Sequence, residues 1–181
     1  MRRAAVIFSS LSICMSATAQ EQDSLSVKQI TEGVLEAVNG YAKAVSCVSE
    51  LATPATIFAL TPLKTREDSF DAKYLAFWTG DVGCNGGSGT MTMNHAVVRI
   101  SYHGDFYVVP SHSSPVIAGP RSRFITKYVG NSKNTMVVDQ LEHAKDDGNN
   151  FPSLKYRVTY QIDDRSGEWK IINKKQLPYQ P

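Results

Sequence analysis

The residues with the clearest potential for chemistry lie in a glycine-rich segment around one cysteine. Residues 80–90 read GDVGCNGGSGT and contain Asp81 and Cys84. A phosphate-binding P-loop would need a lysine and then a serine or threonine after its last glycine, at the start of a helix. Here Thr90 begins an alternating pattern that predicts a strand, and no dinucleotide-binding βαβ context surrounds the glycines. The segment therefore indicates a loop, whose glycines give the backbone freedom to turn.

The cysteines predict a covalent link. The chain has three, and Cys14 lies in an N-terminal leader that we expect to be removed. Cys47 and Cys84 remain, an even number that predicts a disulfide in an oxidising compartment. No C-x-x-C motif occurs and the four histidines follow no metal-ligand spacing, so we expect no metal site and no cofactor.

Three other side chains are candidates for acid–base catalysis. His95 lies in a predicted strand, His112 lies in the stretch SHSS, and Asp81 lies in the glycine-rich loop. An imidazole or carboxylate that faces a cavity can have a shifted pKa and act as a base. Because spacing assigns no acid–base partner to any of them, we expect binding, not catalysis, to be the main activity.

Aromatic residues supply a candidate binding surface. Trp78 ends a predicted helix, and Tyr102, Phe106 and Tyr107 flank a predicted hairpin turn. Core packing accounts for most aromatic residues in helices and strands. The alternative that we keep open is that these four line a pocket or a partner surface.

The N-terminus has the pattern of a secretory signal peptide. Arg2 and Arg3 precede an apolar stretch that is too short to span a bilayer. Ala17-Thr18-Ala19 then supplies the small residues that signal peptidase accepts. We expect residues 1–19 to be a signal peptide cleaved near Ala19, and the product to be periplasmic or secreted, with no membrane span.

The predicted mature chain, residues 20–181, is electrically balanced. The full sequence has 19 Lys and Arg against 17 Asp and Glu, and loss of the two leader arginines leaves 17 of each. A neutral chain has no excess field with which to attract nucleic acid or anionic lipid. Its length fits a single domain around one core.

Helices are predicted in the first part of the chain. Ser26 and Gln29 are spaced as a capping box, and apolar residues recur at helical spacing from Ile30 onward. A line of small residues runs beside them: Gly33, Ala37, Gly40, Ala44 and Cys47. We expect this flat stripe to let another element approach closely, and we expect a short second helix over residues 67–78.

The rest of the chain alternates between apolar and polar residues, which predicts strands. The alternating segments are residues 90–101, 105–109, 124–129, 136–143, 154–162 and 168–172. Helices followed by five or six antiparallel strands form the α+β pattern. The predicted architecture is a long helix, with a short second one, packed on one curved antiparallel sheet.

This order of elements, closing in the hairpin LKYRVTYQIDDRSGEWKII, resembles the cystatin-like and nuclear-transport-factor-2-like α+β domains. The resemblance covers most of the predicted mature chain at the level of architecture. Those folds host enzymes, inhibitors and subunits of secretion machinery. The resemblance therefore implies a fold and not an activity.

The sequence favours an exported, non-catalytic protein that binds a protein partner or a small ligand. Such a protein would be an accessory of the bacterial envelope or of a secretion assembly. Two alternatives stay open at this point. One is an enzyme with a pocket between helix and sheet and an Asp or His as its acid–base group, and the other is an inhibitor of secreted enzymes that uses its hairpin loops as a wedge.

Overall fold

The computed structural model describes residues 25–50, 52–65, 67–87, 90–119, 124–148 and 151–178, which contain one α-helix and nine β-strands. The elements are α1 (Val27–Val45), β1 (Ser49–Glu50), β2 (Ile57–Thr61), β3 (Lys73–Gly80), β4 (Thr92–Ile100), β5 (Phe106–Val108), β6 (Ile125–Ser132), β7 (Thr135–Glu142), β8 (Leu154–Ile162) and β9 (Trp169–Leu177). The predicted signal peptide and its cleavage site lie outside the described residues.

The helix begins where the capping box predicts. The Gln29 amide donates to Ser26 Oγ over 3.3 Å, and the Ser26 amide donates to Gln29 Oε1 over 2.9 Å. These two bonds satisfy amide groups that a helix start leaves unpaired. The helix ends at Val45, because Ser46 is extended and its hydroxyl donates to the Ala42 carbonyl over 2.6 Å.

The strands form two antiparallel sheets. The central sheet has the order β1-β3-β4-β5, and β2 pairs with the same edge of β3 as β1 does. The outer sheet is a meander in the order β6-β7-β8-β9. The helix packs on one face of the central sheet and the outer sheet packs on the other, so the protein has three layers.

Each interface between layers has its own core. The helix-side core includes Val34, Val38, Ala42, Tyr74, Ala76, Trp78, Ala96, Val98 and Ile100. The core between the two sheets includes Leu60, Leu75, Phe77, Val97, Met136, Val138, Val158, Tyr160 and Ile162. Alternate residues of β3 and β4 enter the two cores, so both strands are buried on both faces.

The predicted architecture of two helices on one sheet is wrong. Residues Glu67–Phe70 form a single 3₁₀ turn, and the rest of the predicted second helix is the strand β3. A strand that is buried on both faces shows no alternation between apolar and polar residues, so its sequence reads like that of a buried helix. The strands β6 to β9, which we expected to belong to the same sheet as β4 and β5, form a second sheet instead.

The flat stripe on the helix does admit a close neighbour, as predicted. A Cβ atom on Gly33 would lie 2.2 Å from Phe106 Cδ2, so the ring of Phe106 occupies the space that a side chain would take. Gly40, on the same stripe, has no atom of the described residues within 4 Å of that position. The close neighbour that the structure shows is therefore β5, which packs on the stripe at Gly33.

The predicted pairing of the two cysteines is confirmed. Cys47 and Cys84 are joined by a disulfide, with their Cα atoms 5.3 Å apart. Both residues are exposed. The bond ties the segment that follows α1 to the loop that follows β3.

Candidate functional site

A cleft of about 430 Å³ opens between the loop that follows β5 and the face of the outer sheet that looks toward the central sheet. It is lined by Val116, Ile117, Ala118, Gly119, Gln140, Glu142, Tyr160, Glu168, Trp169 and Ile171. The loop side is apolar, and the sheet side mixes aromatic, aliphatic and oxygen-bearing groups. We take this cleft as the candidate functional site.

Two serines of the SHSS stretch hold the loop against β4. Ser113 Oγ accepts from the Val97 amide over 2.9 Å and donates to the Val109 carbonyl over 2.8 Å. The Ser114 amide donates to the His95 carbonyl over 3.0 Å. These bonds give β4 the partners that a neighbouring strand would otherwise supply, because β5 has only three residues.

His95 joins this loop to the outer sheet. Its imidazole is 1% exposed, and Nδ1 lies 2.8 Å from Ser114 Oγ. The indole nitrogen Nε1 of Trp169 donates to His95 Nε2 over 3.2 Å, and the two rings meet edge to face. Because an indole N–H can only donate, this bond belongs to the tautomer that carries its proton on Nδ1 and donates it to Ser114 Oγ. In the other tautomer Nε2 donates to the His112 carbonyl, 3.1 Å away.

The environment of His95 favours its neutral form. Burial lowers the pKa of the imidazole to about 4, against a smaller raising effect from the His112 carbonyl, which lies 3.1 Å from Nε2. A neutral ring keeps the lone pair that Trp169 needs. His95 therefore positions Trp169, which forms one wall of the cleft.

Gly119 lets the loop lie directly on the imidazole. A Cβ atom at this position would lie 2.3 Å from His95 Nδ1. Real Cβ contacts are never so short, so any other residue would push the loop and the ring apart. The floor of the cleft therefore depends on this glycine.

A chain of hydrogen bonds runs along the sheet side of the cleft. The Tyr160 hydroxyl donates to Gln140 Oε1 over 2.8 Å, and Gln140 Nε2 donates to Glu142 Oε1 over 2.9 Å. Lys174 Nζ donates to Glu142 Oε2 over 2.6 Å. Burial raises the pKa of Tyr160, so its proton stays in place as the donor to Gln140. With Glu168, the wall presents more acceptors than donors.

The structure brings His95 and His112 to the same wall of the cleft but places neither on its lining. His112 is buried against Gly167, and its Nδ1 has no hydrogen-bond partner within the described residues. Both nitrogens of His95 are already in contact with protein atoms. The cleft therefore offers no histidine to a ligand.

Asp81 organises the disulfide loop. Its carboxylate accepts from the amides of Gly86 over 2.9 Å and Asn85 over 3.4 Å. The bond from the Gly86 amide is the largest of the effects that lower the pKa of this carboxyl. The Cys47 amide also donates to the Asp81 carbonyl, over 3.2 Å. These bonds set the shape of the loop that carries Cys84.

The four aromatic residues predicted as a binding surface do not come together. Trp78 is buried under the helix, and Phe106 packs on Gly33. Tyr107 pairs with Arg99 and so points to the other face of β5. Tyr102 is 71% exposed and lies beside Phe70, with ring centroids 6.1 Å apart.

The sequence analysis did not identify the residues that line the cleft. Along β7, the positions that face the central sheet are Met136, Val138, Gln140 and Glu142. The change from apolar to polar residues on this one face is the signal that the sandwich opens there. The sequence gives a weaker indication that Trp169 lines the cleft. It is the first residue of β9 and pairs with the buried Ile162, so it also fits the pattern of a core residue.

Comparisons with known proteins give no family. The chain matches no protein-family model, and the searches of curated proteins and of solved structures found no match. The resemblance to cystatin-like and nuclear-transport-factor-2-like domains therefore stays a prediction.

The described residues include no group of three or more His, Cys, Asp or Glu placed to hold a metal ion. Within the same residues, no helix has the length and apolar character needed to cross a membrane.

Proposed function

We propose that this is an exported, non-catalytic protein that binds a small organic molecule in the cleft beside Trp169. The observation that carries the proposal is the positioning of that indole. Its nitrogen is held by a buried histidine, while its ring remains on the wall of a cleft of about 430 Å³. Concave sites of this size that combine apolar side chains with placed polar groups are typical of small-molecule sites, and this cleft carries both kinds.

The lining indicates the chemistry of the ligand. Val116, Ile117 and Trp169 would contact an apolar or aromatic body. The carboxylates of Glu142 and Glu168 would accept hydrogen bonds from a head group that donates them. Lys174 already neutralises Glu142, so within the part of the chain that the structure describes Glu168 supplies the negative charge that no ion pair neutralises. We therefore expect an organic amine with an apolar body.

The role of His95 supports binding over catalysis. A general base must reach the proton that it removes and must have a pKa near the working pH. His95 has its two nitrogens occupied and a pKa of about 4. The same bonds that disqualify it as a base make it a rigid support for Trp169.

Export is supported by the disulfide. A bond between Cys47 and Cys84 persists in an oxidising compartment and is rare in a reducing one. The N-terminal pattern of arginines, an apolar stretch and Ala17-Thr18-Ala19 points to the same destination.

Calorimetric titration with a charge-matched series of probes tests the proposed site. Phenethylamine, phenethyl alcohol and phenylacetate share an aromatic body and differ in the charge of the head group. We expect the amine to bind most tightly, and Glu168→Gln to weaken it by about two- to fivefold, the usual range for an exposed charge. Glu32→Gln, on the exposed face of α1, is the matched control. Equal affinity for all three probes, or an equal loss in both variants, would contradict the proposal.

A protein partner is a second candidate, because two aromatic side chains are exposed side by side. Phe70 and Tyr102 are 62% and 71% exposed, and neither forms part of a core. Neighbouring exposed aromatic rings are common at protein interfaces. Capture from an envelope fraction should retain a specific partner with the wild-type protein and lose it with Phe70→Ser/Tyr102→Ser. A partner that both proteins retain would exclude this surface.

A further inference from the structure

The outward face of the outer sheet concentrates positive charge. One row across the sheet places Lys127 beside Asp139, Asp139 beside Arg157, and Arg157 beside Lys175. These positions alternate with Val138, Val158 and the other residues that enter the core, so they point away from the central sheet. Lys155 belongs to the next row of the same face.

The one carboxylate in this row is already neutralised. Asp139 is 4% exposed, and Arg157 donates to both of its oxygens, over 2.8 and 3.1 Å. The Arg157 hydrogen bond lowers the pKa of Asp139, and the charges of Lys155 and Lys127 lower it further. The lysines are therefore close enough to act on one carboxylate together.

Aliphatic side chains accompany the cations. In the next row, Lys155 pairs with Leu141 on one side and Leu177 on the other, and both leucines are half-buried. Lys127, Arg157 and Lys175 are exposed. Long basic side chains beside aliphatic ones can place their charge at a phosphate layer and their stems against an apolar boundary.

We infer that this face binds peripherally to an anionic lipid bilayer. Phosphate head groups complement Lys127, Lys155 and Lys175, which are not the partners of Asp139, and the acyl boundary complements the two leucines. A nucleic acid backbone or an acidic polysaccharide would satisfy the charges but would leave the leucines without contact. The inference is independent of the cleft, whose lining lies on the opposite face of the same sheet.

The neutral total charge of the predicted mature chain conceals this arrangement. We expected no attraction to anionic lipid because 17 basic and 17 acidic residues cancel. Two carboxylates lie on the strands of the outer sheet: Asp139 is paired with Arg157, and Glu142 lies on the opposite face, where Lys174 donates to it. Others, such as Glu50, Glu67 and Asp68, belong to the segments around the central sheet. Surface attraction falls off within a Debye length, so local charge decides it.

Vesicle co-sedimentation of the predicted mature chain, residues 20–181, tests the inference. The vesicles are phosphatidylcholine alone or phosphatidylcholine with phosphatidylglycerol, at low and high salt. We expect binding to the anionic vesicles only, and less of it at high salt. Lys127→Glu/Lys175→Glu should weaken binding at least twentyfold, since each lysine near an anionic surface is worth roughly fivefold.

A matched variant distinguishes an effect of charge on this face from an effect of the net charge of the protein. Lys28→Glu/Lys43→Glu makes the same change in charge on α1, in the layer farthest from this face. We expect it to keep most of the vesicle binding. Circular dichroism checks that both variants fold. If Lys127→Glu/Lys175→Glu does not fold, Lys127→Gln/Lys175→Gln is used in its place.

Three outcomes would overturn the inference. The first is no binding of the wild-type protein to anionic vesicles, and the second is an equal loss in both charge variants. The third comes from fluorescence anisotropy with a labelled DNA duplex. Tighter binding to the duplex than to the vesicles, lost in Lys127→Glu/Lys175→Glu, would assign the face to nucleic acid instead.

Discussion

The indole of Trp169 donates a hydrogen bond to a buried imidazole nitrogen of His95, over 3.2 Å. The two residues come from different sheets, since His95 lies on β4 and Trp169 begins β9. The bond therefore joins the central sheet to the outer sheet at the edge of the cleft. It also makes the protonation state of His95 matter for the stability of the protein.

The first prediction concerns pH. Burial lowers the pKa of His95 from 6.5 to about 4. Between these values the unfolded chain binds a proton that the folded chain does not, so the free energy of unfolding falls as the pH falls from 6.5 toward 4. The full loss is roughly 2–4 kcal/mol and is complete once the pH is below both pKa values.

Urea unfolding at a series of pH values measures this dependence. His95→Gln cannot titrate at this position, so the variant should have a flatter profile over the same interval. Other groups titrate equally in both proteins and cancel in the difference. Parallel profiles for the two proteins would show that His95 is not held neutral by the fold.

The second prediction uses two glycines of α1 as a matched pair. Gly33→Ala should destabilise the protein by about 1–3 kcal/mol, because the new methyl group meets the ring of Phe106. Gly40→Ala meets no described atom within 4 Å and should stabilise the protein by up to about 1 kcal/mol, the difference in helix propensity. Thermal unfolding of both variants gives the comparison. An equal effect of the two substitutions would mean that Phe106 does not pack on Gly33.

The third prediction concerns the disulfide. Cys47 and Cys84 are 37 residues apart, so the bond should stabilise the fold by about 2–4 kcal/mol, mainly by restricting the unfolded chain. Adding a reductant should lower the free energy of unfolding of the wild-type protein by this amount. Cys47→Ala/Cys84→Ala should start at the lower value and not respond to the reductant. A wild-type protein that is equally stable with and without reductant would contradict the prediction.

Local signals in the sequence predicted the parts of the fold that depend on neighbouring residues. The capping box at Ser26 and the alternation that predicts β8 are examples, because each pattern depends only on residues close together in the sequence. The position of β3 could not be predicted in this way. Its burial on both faces depends on a helix and on a second sheet, which come from distant parts of the chain.

The candidate site also combines features that the local sequence indicates with contacts that depend on distant parts of the chain. The sequence drew attention to His95, but its role depends on Trp169, which lies 74 residues further along the chain. No spacing rule connects the two, because the contact exists only where the two sheets meet. The serines beside His112 were visible as a polar stretch, but their bonds to β4 follow from the shortness of β5.

The central claim is that the cleft beside Trp169 binds a small organic amine. The chain has two tryptophans, so a proton–nitrogen correlation spectrum contains one indole signal from Trp169 and one from the core residue Trp78. On titration with phenethylamine, we predict that the Trp169 signal shifts progressively and saturates while the Trp78 signal does not move. Phenylacetate should leave both signals in place. No shift of the Trp169 signal, or equal shifts of both signals, would contradict the claim.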